Sequence, residues 1–222
     1  MNKDSNLKFQ ASNPDDYILI KFGKREHLER INNGILRFNK LSYYRNIEEK
    51  DEKKCSAIAD KNEGLSMLLN NNDKPVSTPR VNFIKVFPDA LSNKYVFCLS
   101  CLRAKEINKS TIDAIIKCFP EYDYILYYKN GLNFIINVLK SLERCNPRFD
   151  RIRYQDFSKS LIGADEFTKC NSYAYQRECR FSMDYSVQDI NGITRISEET
   201  IEIAFEKVSG IIVPITEFRP PF

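Results

Sequence analysis

The chain has 222 residues, of which 42% are hydrophobic and 29% charged, with a formal charge of +4. That balance supports a folded domain with a real core and excludes a disordered or fibrous protein. No apolar run approaches the roughly 20 residues needed to span a bilayer, so no membrane partner is expected. The opening MNKDSNLKFQ lacks the basic-then-apolar pattern of a signal peptide. Seven cysteines, an odd number at irregular spacing, then read as reduced thiols, and a cytoplasmic location is expected.

The single histidine, His27, excludes most histidine-based metal and hydrolase sites. Cys98 and Cys101 form a C-x-x-C, but no second pair stands at ligand spacing. On a strand those two cysteines point to opposite faces. No metal is expected.

Residues 1–14 are polar and read as a flexible arm ahead of one domain over 15–222. Tyr17–Gly23 predicts a buried strand closed by a glycine. Residues 24–33 carry Leu28 and Ile31 at helical spacing, and Gly34 stands where a helix C-terminal cap belongs. Ile35–Asn39 reads as a second strand, running into the aromatic and basic cluster Leu41–Arg45. Residues 48–54 are almost all charged and 60–64 read as a loop. Residues 69–79, rich in Asn, Asp, Pro and Ser, read as an exposed connection.

Strand signals resume at Val81–Phe87 and are strong at Tyr95–Cys101. Thr111–Cys118 predicts a helix capped by Ser110 or Thr111. Tyr124–Tyr128 predicts a strand and Asn130-Gly131 a turn. Residues 132–142 form the strongest helical pattern, with Phe134, Ile135, Val138 and Leu142 on one face. A strand around Ile152–Phe157, a linking segment to Ser172 and strands near Thr200–Phe205 and Gly210–Pro214 complete the chain. Strands at both ends and few strand–helix–strand crossovers predict an α+β layout.

The run Tyr173-Ala174-Tyr175-Gln176-Arg177-Glu178-Cys179-Arg180-Phe181 is the most informative stretch. Read as a strand, it places Gln176, Glu178 and Arg180 in one row, with Arg177 and Cys179 facing the other way. A carboxylate beside an amide can hold a sugar hydroxyl and stabilise positive charge developing nearby, which is the chemistry of breaking a glycosidic bond. The plainer reading is an edge strand with a solvated polar row.

Lys21 with Phe22 on the first strand, Ser100 on a central strand, and Gln176 with Glu178 late in the chain follow one another in an order that resembles the toxin-like branch of the ADP-ribosyltransferase superfamily. Lysine stands where that branch usually has arginine, giving a point charge in place of a bidentate fork. Cys98-Leu99-Ser100 stands where the family has S-T-S. The pattern is also similar to uncharacterised phage and bacterial proteins with a late Q-x-E-x-R.

The resemblance implies two small packed β-sheets flanked by helices, with NAD as substrate in the cleft between them. It gives Glu178 the ribose hydroxyl and the oxocarbenium charge, and gives Gln176 the incoming nucleophile. Lys21 would face the pyrophosphate, Ser100 would hold Glu178, and Tyr43 or Tyr44 would stack on nicotinamide. Arg45, Arg177 and Arg180 would serve the pyrophosphate or the acceptor. The acceptor is expected to be nucleic acid, because basic clusters stand at 21–25 and 144–153. Related enzymes act as toxins or phage-defence effectors, which implies a neutralising antitoxin or regulatory partner.

Two other classes fit the residues. A protein-interaction module would use Tyr43, Tyr44, Tyr173 and Tyr175 as anchors. A metal-dependent nuclease would gather Asp60, Glu63 and Glu178 around magnesium.

Overall fold

The structure, a computed structural model, describes residues 17–50, 60, 62–65, 67–70, 75–76, 83–103, 106–117, 119–157, 164–184, 193–197 and 199–219. The proposed arm at 1–14 and most of the charged run at 48–54 fall outside them. In chain order the first half contains β1 (Tyr17–Gly23), α1 (Arg25–Asn32), β2 (Ile35–Lys40), α2 (Leu41–Lys50), β3 (Met67–Asn70), β4 (Pro75–Val76), β5 (Phe83–Val86), α3 (Asp89–Ser92) and β6 (Tyr95–Arg103). The second half contains α4 (Lys109–Lys117), β7 (Tyr124–Tyr128), α5 (Gly131–Ser141), β8 (Arg148–Arg151), β9 (Arg153–Gln155), β10 (Thr168–Cys170), β11 (Glu178–Met183), β12 (Ile193–Ile196), β13 (Thr200–Ala204) and β14 (Ile211–Pro214). The chain is mixed α+β.

β6 organises the molecule because it bonds to three strands. Along one edge it pairs antiparallel with β11, from Ser100 opposite Glu178 to Tyr95 opposite Met183. On the other edge Ser100–Arg103 pair with β1, while Tyr95 and Val96 pair with Lys40 and Asn39 of β2. Two wings therefore leave the same edge of β6: β1-β7-β14 and β2-β13-β12. Between them, residues 97–99 face a fork with no registered strand partner among the described pairings. The sheet is thus one branched nine-stranded unit, with β8 added outside β11. The expected pair of separate small sheets is replaced by wings that share a central strand. β3, β4 and β5 form a small sheet of their own, as do β9 and β10.

The core lies on both faces of this sheet. In β1 and β7, Ile18, Ile20, Phe22, Ile125 and Tyr127 pack on one side with Ile112 and Ile115 of α4. Leu19, Leu126 and Tyr128 pack on the other with Phe134, Ile135 and Val138 of α5. Each such side chain contributes about 1.5–3 kcal/mol by leaving water, which is why these strands read as continuous apolar runs. Gly34 adopts φ +85°, and a Cβ there would meet the Phe205 carbonyl oxygen at 2.6 Å. Glycine lets α1 end against the segment after β13.

Several boundaries differ from expectation. Asn108, not Ser110 or Thr111, caps α4: its Oδ1 accepts from the Thr111 N–H at 2.9 Å. Asn130-Gly131 opens α5, with Asn130 as its cap, instead of forming a free turn. Within 152–157 only the short β9 is extended into a strand, and β8 ends just before it at Arg151. Parts of 69–79 join β3 and β4. Among the described residues no helix is long and apolar enough to cross a membrane.

Candidate functional site

The aromatic run at 173–181 is not one strand. Asn171–Gln176 forms a 3-10 helix, Arg177 turns into the left-handed region at φ +47°, and β11 starts only at Glu178. A 3-10 turn of this kind serves as a short connector, and the reversal at Arg177 breaks the strand row. Gln176 and Glu178 nonetheless converge, because both side chains reach one lysine, Lys169 of β10. Its Nζ donates to Glu178 Oε2 at 2.7 Å and to Gln176 Oε1 at 3.1 Å.

A cavity of about 380 Å³ opens at the fork between β1 and β2. Lys21, Phe22, Tyr43, Tyr44, Ser100, Gln176 and Glu178 all line it, joined by Cys98 and Lys169. Phe22 stacks on Phe119 with centroids 5.3 Å apart, and Phe119 stacks on Tyr122 at 5.7 Å, so one wall is a ladder of flat rings. Lys21 Nζ donates to the Cys98 carbonyl at 2.7 Å, meeting a main-chain acceptor that the fork leaves open. The same ammonium lies 4.9 Å from the Phe97 ring centroid. At the mouth stand His27, Arg30 and Arg37, with Arg30 paired to Glu202 at 2.7 Å.

Ser100 acts on a different partner from the one expected. Its hydroxyl donates to the Gln176 main-chain carbonyl at 2.9 Å, fixing the end of the 3-10 helix. Arg180 does not reach the cavity. It is fully buried, with Nε and Nη2 donating to Glu178 Oε1 at 3.0 and 2.8 Å. Its Nη1 and Nη2 bond the two oxygens of Glu63 at 2.8 and 3.1 Å, and Nη1 also meets the Glu166 carbonyl. Arg45 donates to the Glu63 carbonyl at 2.7 Å and to Ser92 Oγ at 3.1 Å, and stacks over Phe87, so it braces the 60–65 turn. Arg177 is exposed and lies outside the cavity lining.

These contacts govern ionisation. Burial opposes the charged form of Glu178, but Arg180 and Lys169 outweigh it and hold the carboxyl well below the usual carboxylate range. Burial likewise opposes the Lys169 ammonium, and Glu178 with Glu63 reverses the effect, keeping it firmly protonated. Lys21 goes the other way: burial pulls it below the ordinary lysine value despite attraction from Glu178. Burial pushes the Cys98 thiol up to about 11, so it faces the cavity as a neutral group.

Asp60 is pushed up to about 7 by burial and then by Glu63, and its Oδ2 has no hydrogen-bond partner among the described residues. Asp60 and Glu63 share one turn, and Glu63 shares two cations with Glu178. Those cations are Arg180 and Lys169, and no cluster of metal-ligating side chains occurs among the described residues. Sequence reasoning misses Lys169, and it misses Tyr154, whose hydroxyl accepts the Glu178 N–H at 2.9 Å. It places Glu63 at a metal when its partners are Arg180 and Lys169. Lys169 and Glu63 are isolated charged residues in segments without periodicity, and nothing in the strand signal around Tyr154 marks its partner.

Comparison with known proteins finds no matching family model, curated protein or solved structure. The functional reading therefore rests on the site itself.

Proposed function

We propose that the fork cavity binds NAD and that the protein transfers ADP-ribose from it to a macromolecular acceptor. The observation that carries this reading is convergence. Lys21 and Ser100 on neighbouring strands and the Gln176–Glu178 pair at the entry to β11, up to 157 positions apart in sequence, meet around one aromatic-walled cavity. Basic residue on β1, serine on β6 and carboxylate at the start of β11 support an ADP-ribosyltransferase-like arrangement.

In this mechanism the bond between the ribose anomeric carbon and the nicotinamide nitrogen breaks heterolytically. The electron pair stays on nitrogen and neutralises the pyridinium ring. Glu178, held ionised, accepts a hydrogen bond from a ribose hydroxyl and stabilises the oxocarbenium charge. Gln176 orients the acceptor nucleophile, which bonds to the anomeric carbon and loses its proton. Lys21, with a single described protein acceptor, turns its remaining N–H bonds to the pyrophosphate. Tyr43 and Tyr44, packed edge to face at 5.6 Å, offer a ring surface to nicotinamide.

Nucleic acid is the acceptor class we assign. Arg37 is exposed at the mouth and has no ion-pair partner among the described residues, which suits a phosphodiester backbone. A cytoplasmic toxin or defence effector, held in check by a partner protein, is the corresponding biological role.

The test is incubation of the protein with labelled NAD and separate RNA, DNA and protein fractions, with Glu178→Gln as control. Label transferred by the wild type and lost in the variant is the expected result and identifies the acceptor class. A folded wild type that neither binds NAD nor transfers label would falsify the reading.

A further inference from the structure

β9 and β10 form a two-stranded parallel unit outside the main sheet, and Tyr154 and Lys169 are register partners within it. Both reach Glu178. Lys169 grips its carboxylate at 2.7 Å, while the Tyr154 hydroxyl accepts its main-chain N–H at 2.9 Å. Lys169 also holds Gln176 Oε1 at 3.1 Å and lies 3.5 Å from Glu63 Oε2. Two hydrogen-bond acceptors, with the Glu63 carboxylate at ion-pair distance, fix the direction of the ammonium.

The turn that delivers Lys169 is itself locked. Asp165 Oδ1 accepts from the Phe167 N–H at 2.9 Å and from the Thr168 hydroxyl at 3.0 Å, and pairs with Arg153 of β9 at 2.9 Å. Gln176 needs such a restraint, because it lies outside any strand ladder, just before the reversal at Arg177.

We infer that Lys169 and Tyr154 are positioning residues. Together they set the separation of the Gln176 amide from the Glu178 carboxylate and keep that carboxylate aimed at the cavity. The catalytic consequence rests on the transferase reading above, whereas the clamp is measurable without it.

Lys169→Met removes the donors and keeps the stem, Lys169→Arg restores a cation, and Tyr154→Phe removes only the main-chain contact. For ADP-ribosyl transfer, Lys169→Met is expected to lower kcat by roughly 10- to 100-fold with KM for NAD changed less than about threefold. Its acid pH–rate limb moves upward, because Glu178 has lost a cation that held its pKa down. Lys169→Arg recovers part of the rate. Tyr154→Phe shows a smaller fall and no movement of the limb.

Independently, carbon NMR of protein labelled at glutamate carboxyls follows the titration of Glu178, whose signal is the one missing in Glu178→Gln. In folded Lys169→Met that titration shifts upward. An unmoved titration, or a kcat within twofold of wild type with an unmoved acid limb, overturns the clamp. A wild type without NAD binding or transfer removes the transferase reading, and the titration then decides the clamp alone. Should Lys169→Met fail to fold, Lys169→Arg and Tyr154→Phe take its place: unchanged kcat and unchanged titration in both overturn the clamp.

Discussion

Behind Glu178, Arg180, Glu63 and Lys169 are buried, and each cationic group meets carboxylate oxygens at 2.7–3.5 Å. In front of it, the mouth of the cavity carries Arg37 exposed to solvent, with Lys21 half-buried on a single described acceptor. Both regions are charged, yet they do opposite work. Charges removed from water are tolerable only when fully paired, so the rear cluster acts as scaffold. Charges left partly unsatisfied in a cleft have capacity for a ligand, so the mouth is where binding is read.

The sharpest way to break this contrast is Glu63→Ala, which leaves Arg180 buried with an incomplete shell. A loss of about 3–5 kcal/mol of stability is expected in denaturant titrations, and an unchanged midpoint would show that the cluster is not the scaffold described. Glu178→Gln keeps an acceptor for Arg180 but loses the charge. Transfer should fall by about 10²–10³-fold while the fold persists, as measured by turnover alongside a thermal melt.

Asp60 supplies a test of the imperfectly satisfied part of the rear region. Its folded-state pKa of about 7 lies above its unfolded value, so the folded chain binds more protons between about pH 4 and 7. Stability from this group is therefore present at low pH and lost as pH rises through 7. Asp60→Asn, which retains an acceptor for the Asn62 N–H, should match wild type near pH 4 and exceed it above 7 by on the order of 4 kcal/mol. Equal stabilities across that range would contradict the burial argument.

Lys21 gives a smaller effect at the boundary between the regions. Because only its protonated form attracts phosphate, NAD affinity should decline as pH rises through its lowered pKa, and Lys21→Met should abolish that dependence in calorimetric titrations. Arg37→Ala should be the mildest change. Stability should stay within about 0.5 kcal/mol, while the salt slope of nucleic-acid binding drops by about 1. A large loss of stability there would place Arg37 in the scaffold instead.

What is legible from the residues divides along similar lines. β1, β6, β7 and α5 are readable because apolar periodicity is a local property, and their buried faces follow it residue by residue. The fork is not, since the choice of partner along each edge of β6 depends on strands from three distant segments. Gln176 and Glu178 are recognisable as a pair but on the wrong backbone: β-favouring tyrosines suggest a strand, and the reversal at Arg177 leaves no compositional mark. The pairing of Lys169 with Glu63 and Glu178 is invisible because a lone charged residue in an irregular segment reads as solvated until the fold brings its counter-charges to it.

The fork has a further consequence for the order in which the protein becomes competent during synthesis. β6 is completed at residue 103, but its outer edge waits for β11, and β2 waits for β13, whose Glu202 reaches the cavity mouth. Such pairings span up to about 170 residues and form late, because distant segments must be brought together before any contact rewards closure. A ribosome-bound chain lacking its last few strands has the cavity's aromatic wall without its acidic floor. A chain assembled this way lacks a complete cavity until β11 and β13 are both in place.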